Sequence, residues 1–138
     1  MKKALIIFGL VWFLAGGLLG IYLAAESKAV YNDMEVAINS GDSVKVWDIF
    51  NSWRGRVSTH THALSLSLLA IIIALTMSEM RFSEKTKLIL GIVLILGVAL
   101  SGIFSWFYFE PLMGLGYILI LVTILMSIVG VVKGKKKA

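Results

Sequence analysis

The chain contains two histidines, His60 and His62, two residues apart in Val57-Ser58-Thr59-His60-Thr61-His62-Ala63. They stand where a polar segment gives way to an apolar run over residues 64–76. Imidazole is a neutral ligand at physiological pH and binds zinc, copper or haem iron. The expectation is therefore a haem or a transition metal held by His60 and His62. Arg54 and Arg56 would pair with haem propionates or another anion, because a guanidinium matches a carboxylate in bidentate geometry. Glu110 or Glu26 would orient a ligating ring from behind. Trp53, Trp106, Tyr108 and Tyr22 complete this neighbourhood. The plainer alternative is a pair of hydrogen-bonded histidines at a membrane boundary with no ligand.

Spacing bears on that choice. Side chains at i and i+2 of a regular helix diverge and cannot share one ion; an extended segment would bring them to one side. Ala63, Ser67, Ala70, Ala74 and Ser78 follow one another at three- and four-residue steps, a stripe of small residues suited to the interior of a membrane bundle. At about 100° per residue, His60 falls roughly 40° from the centre of that stripe and His62 roughly 120° from it. His60 is thus expected to face the bundle, and His62 the lipid headgroups or a covering segment.

The elements that must position these residues are written in the composition. Of 138 residues, 59% are hydrophobic and only 15% charged, with a mean hydropathy of +0.92. That is the balance of an integral membrane protein. Four runs, 4–25, 59–77, 88–109 and 112–132, are long enough to cross a hydrocarbon core of about 30 Å as helices. No barrel-like alternation appears. The fold class expected is all-α: one integral membrane four-helix bundle over residues 1–138, with an external loop, 26–58, that contains a short amphipathic helix.

Within that loop, Val30, Met34, Ala37 and Ile38 recur at helical spacing, so the first helix is expected to continue past the membrane to about Ser40-Gly41. Asp42 or Ser43 would cap the amphipathic piece, which carries Trp47, Phe50 and Trp53. It would lie in the headgroup layer as a lid. Ser58 and Thr59 would cap the second spanning helix. Gly16 and Gly20 form a G-x-x-x-G, and Gly97, Ser101 and Ser105 a second small stripe, both suited to close helix packing. Glu110-Pro111 turns the chain directly from the third helix into the fourth.

Charge gives the orientation. Lys2, Lys3, Arg81, Lys85, Lys87, Lys133, Lys135, Lys136 and Lys137 fall on one side, against Lys28, Lys45, Arg54 and Arg56 on the other. By the positive-inside rule this implies a multi-pass protein of the cell membrane with both termini cytoplasmic. The run 4–25 after Lys2-Lys3 has the flavour of a secretory signal, with Leu23-Ala24-Ala25 as its cleavage site. It is longer than a signal core and is expected to remain as the first helix. The net charge of +5 collects at span ends and forms no stripe with interleaved aromatics, so nucleic acid is not an expected partner. The expected partner is the lipid bilayer, with a homo-oligomer or a larger membrane complex left open.

The His-Thr-His that opens the second helix after an aromatic-arginine loop resembles some small four-helix bacterial membrane proteins of uncharacterised function. It is also similar to the histidine-bearing helix starts of haem-copper oxidase relatives. The resemblance covers Thr59–His62 and the helix count, and it implies haem ahead of other ligands. The further histidines of an oxidase core are missing, so that activity is not carried over. Without cysteine there is no disulfide, thiolate metal site or cysteine nucleophile. No phosphate loop and no H-E-x-x-H is present, and no ionisable residue lies deep in a span to support conduction. Two functions remain: a haem- or metal-binding membrane protein engaged in electron transfer or sensing, and a structural or accessory membrane subunit with no cofactor.

Overall fold

The structure is a computed structural model that describes residues 1–107 and 109–134. Tyr108, expected beside the histidines, and the lysines at 135–137, expected on the cytoplasmic side, lie outside the described residues. The chain forms four helices: α1 Lys2–Asn39, α2 Ser43–Thr76, α3 Glu84–Trp106 and α4 Glu110–Gly134. All four are long and apolar enough to cross a bilayer. The all-helical expectation holds, with one difference in the segment 26–58.

That segment is not a loop. α1 and α2 continue through it as an antiparallel helical hairpin closed by a turn at 40–42. Its tip follows the expected chemistry. Gly41 takes φ of 71°, its amide bonds the Ile38 carbonyl, and the Asp42 amide bonds the Ala37 carbonyl. These two bonds close the helix end in the pattern that a left-handed glycine permits. The Asp42 side chain then accepts from the Lys45 amide at 3.0 Å and starts α2.

From there α2 runs unbroken past Ser58 and Thr59, so these residues cap nothing. A helix interrupted only by Gly55 has no reason to stop, since each further residue satisfies its own backbone groups. Thr59 instead donates its hydroxyl to the Gly55 carbonyl at 2.9 Å. The amphipathic piece is therefore the first turns of α2. A separate lid does not exist.

Successive helices are antiparallel and α2 and α3 are central; α1 and α4 do not touch among the described residues. Leu5 of α1, Ala70, Ile73 and Ala74 of α2, Leu94 and Val98 of α3, and Ile120 of α4 form the buried core. The small-residue stripes face inward as expected: Ala63, Ser67, Ala70, Ala74, Gly97, Ser101 and Ser105 are all buried. Ser78 departs from its stripe and is exposed, because α2 ends two residues before it. The outward faces of all four helices are apolar, with Ile7, Leu14, Ile72, Leu96, Ile118 and Leu125 each more than half exposed.

Close approach is greatest between α3 and α4. A Cβ at Gly116 would lie 2.6 Å from the Ser101 amide nitrogen and 2.8 Å from the Gly97 carbonyl oxygen. Both are backbone atoms and cannot swing aside. A Cβ at Gly17, by contrast, would meet nothing within 4 Å. Gly116→Ala is therefore expected to lower the unfolding free energy by about 1–3 kcal/mol through overpacking. Gly17→Ala should be neutral or slightly stabilising, since alanine is the better helix former by about 1 kcal/mol. Thermal unfolding of the two purified variants checks this, and equal tolerance would mean that α3 and α4 are wrongly juxtaposed.

Candidate functional site

The continuity of α2 decides where the histidines go. His60 points to α1, where its Nδ1 lies 2.8 Å from the carbonyl oxygen of Gly16. Its ring rests on Gly20: a Cβ there would come within 3.0 Å of Nδ1 and Nε2, and closer still to Cε1. Of the Gly16/Gly20 pair expected to admit a neighbouring helix, Gly16 seats Ala63 and Leu64 of α2 and Gly20, one turn on, seats the imidazole.

His62 points the other way. Its Nε2 lies 2.7 Å from the Tyr117 hydroxyl of α4, with the two rings edge to face at 5.4 Å. The sequence reading directs His62 to headgroups or a lid, and the structure corrects that. α4 begins at Glu110 and runs beside α2, and a tyrosine seven residues along it reaches the ring. Tyr117 was missed by a reading that searched only boundary residues. Its signal was available, since it is the one aromatic residue of α4.

A third polar residue in the same turn of α2 faces α3. The Thr59 hydroxyl lies 2.8 Å from the hydroxyl of Ser105. Thr59, His60 and His62 therefore connect α2 to α3, α1 and α4 respectively. Each partner is a group that can accept or donate without any charge being buried.

The remaining candidates do not converge on the histidines. Arg56 pairs with Glu26 at 2.7 Å, and its guanidinium carbon lies 5.4 Å from the centre of the Trp53 ring. The second oxygen of Glu26 accepts from the Tyr22 hydroxyl. Glu26 is thus occupied with an arginine and a tyrosine and does not orient an imidazole. Arg54 and Glu110 are exposed, and neither hydrogen-bonds to a histidine. Among the described residues, no three His, Asp or Glu side chains gather as a metal site would require.

A groove of about 160 Å³ adjoins Thr59, lined also by Trp12, Gly16, Leu19, Ala63 and Gly102. Sites for cofactor-sized ligands usually run to about 300–1,000 Å³. Comparison with protein-family models, with curated proteins and with solved structures finds no match to this chain. The site is accordingly defined by its own geometry: a polar collar on α2 that engages the other three helices.

The His62–Tyr117 contact gives the cleanest measurement of that collar. Interhelical hydrogen bonds between spanning helices average about 0.6 kcal/mol and reach about 1.7. A double-mutant cycle of His62→Phe and Tyr117→Phe should return a coupling energy in that range from unfolding in mild detergent. A coupling indistinguishable from zero would remove the contact from the collar.

Proposed function

We propose that the chain is a multi-pass integral protein of the cell membrane, with both termini cytoplasmic, that serves as a structural or accessory subunit with no cofactor of its own. The observation that supports this reading best is the collar. Both imidazoles are committed to helix partners on opposite sides of α2, at Gly16 and Tyr117. In that arrangement the histidines act as interhelical ties, which is the plainer of the two roles the sequence allows. The surface supports the membrane reading through its apolar outer faces and four helices of spanning length.

One observation favours the haem or metal reading as a second possibility. A ligating histidine commonly has its other ring nitrogen on a backbone carbonyl, which fixes the tautomer. His60 has that relation to Gly16 through Nδ1, leaving Nε2 as the ligating atom. Against it, the same ring is seated on Gly20, and the adjoining groove is small for a haem. His62 would not supply the second axial position, since α2 turns it toward α4.

Two measurements test these statements. A cysteine at Gly41 should react with an impermeant thiol reagent in intact cells, and one at Ser83 should not; the reverse pattern would invert the orientation. Purified wild-type protein should show no Soret absorption and no stoichiometric metal, while His60→Ala and His62→Ala should each unfold more easily by roughly 0.5–2 kcal/mol. A stoichiometric haem or metal that disappears in His60→Ala would overturn the cofactor-free reading in favour of the second.

A further inference from the structure

Resting on the membrane reading above, we propose that the groove between α2 and α4 is a binding site for one anionic phospholipid. One acyl chain lies in the groove, its ester carbonyl accepts a hydrogen bond from Ser127, and the phosphate meets Arg81 and Lys133. The groove encloses about 290 Å³ and is lined by Leu69, Ile72 and Thr76 of α2 and by Ile124, Ser127 and Ile128 of α4. Its walls are almost wholly aliphatic, which suits a hydrocarbon chain.

Ser127 is the feature that aliphatic packing does not explain. The side chain is 6% exposed, and its hydroxyl has no hydrogen-bond partner. The other buried hydroxyls of the helices are paired: those of Ser67, Ser101 and Thr123 donate to carbonyls of their own helix, and that of Ser105 donates to the Thr59 hydroxyl. A buried hydroxyl left unpaired is costly. Ser127 lines the groove, and rotation about its Cα–Cβ bond would present the hydroxyl to an acceptor that enters there. A phospholipid carries such an acceptor, the ester carbonyl, just below its phosphate.

The mouth of the groove supplies the matching charge. Val131 and Val132 line its end, and Lys133 follows, exposed. The α2–α3 turn is fastened there, because the Arg81 amide bonds the Gly130 carbonyl at 3.1 Å. Arg81 is exposed at this end, with Glu79 as the acidic residue of the same turn. Ser127 lies three residues, about 4.5 Å, deeper along α4 than Gly130. Cation, hydroxyl and aliphatic walls therefore follow one another in the order phosphate, ester and chain.

The experiment is native mass spectrometry of the detergent-purified chain titrated with phosphatidylglycerol and with phosphatidylcholine. Each near-surface cation contributes about 1 kcal/mol toward an anionic headgroup, which is about fivefold in affinity. Wild type should retain one phosphatidylglycerol in preference to phosphatidylcholine by roughly fivefold to twenty-fivefold. Arg81→Gln with Lys133→Gln should abolish the preference, and Ser127→Ala should weaken retention of both lipids. Ile72→Trp, at an exposed position that leaves the core intact, should fill the groove and prevent retention. Equal retention of the two lipids by wild type, or unchanged retention by Ile72→Trp, would overturn the proposal. So would efficient crosslinking between two copies through a cysteine at Ile128 in phosphatidylglycerol vesicles, which would make the groove a protein interface. Alkaline carbonate extraction separates the two levels: release of the chain would defeat the membrane reading itself. A chain that stays in the membrane without lipid selectivity would defeat only this site.

Discussion

Residues two apart on a regular α-helix are rotated by about 200°, so they cannot act on the same object. That constraint governs this protein because α2 is continuous from Ser43 to Thr76. With no break at Ser58 or Thr59, His60 must face one neighbour and His62 another. The chain uses the divergence: α1 offers the Gly16 carbonyl, α4 offers the Tyr117 hydroxyl, and Thr59 takes the remaining direction to Ser105 of α3. Three polar residues within one turn thereby engage every other helix. The same constraint that turns the two imidazoles away from each other makes α2 the organising element.

Helices surrounded by lipid gain little from hiding apolar side chains from one another, so association depends on close approach and on polar contacts. Both are visible here. Gly97 and Gly116 bring α3 and α4 into backbone contact, and Gly9 and Gly16 bring α1 against Ser67, Ala63 and Leu64 of α2. The collar adds hydrogen bonds where α2 meets all three partners. α1 and α4, which share neither device, do not touch among the described residues. α2 and α4 meet at His62 and Tyr117, and the groove opens between them farther along, where Ile72 and Thr76 face Ile124 and Ile128.

Much of this was legible in the residues. Hydropathy and length give the four helices, and the three- and four-residue recurrence of small side chains gives their inner faces. The phase of His60 against that stripe placed it toward the bundle, where it lies. Gly41 and Asp42 marked the hairpin tip because a left-handed position and a capping carboxylate have few alternative uses. The partners were not legible. Periodicity fixes the direction in which His62 leaves α2 but not which helix stands there, and that depends on how α4 crosses. The segment 26–58 was misjudged for a related reason. Ser58 and Thr59 have the chemistry of a helix cap, but inside an unbroken helix the Thr59 hydroxyl bonds the Gly55 carbonyl one turn back, and the residue type alone does not separate the two uses.

Helix continuity also sets how the polar half of the hairpin stands. Trp47 lies nine residues before Arg56 on one straight helix, about 13 Å farther along its axis. Arg56 and Glu26 form an ion pair across α1 and α2 at the level where the apolar runs end. In the proposed orientation that pair marks the outer boundary of the membrane. An independent amphipathic helix could lie down in the headgroup layer and bury Trp47, Val44 and Phe50 there. The first turns of α2 cannot, because they are coaxial with the apolar part of the same helix, and Trp47 remains 61% exposed with Phe50 stacked beside it. The excess length of α1 and α2, 38 and 34 residues against 23 and 25 for α3 and α4, is therefore a two-helix arm. It is held to the rest of the molecule by the continuity of its own helices, with Ala37 as the buried contact near its tip.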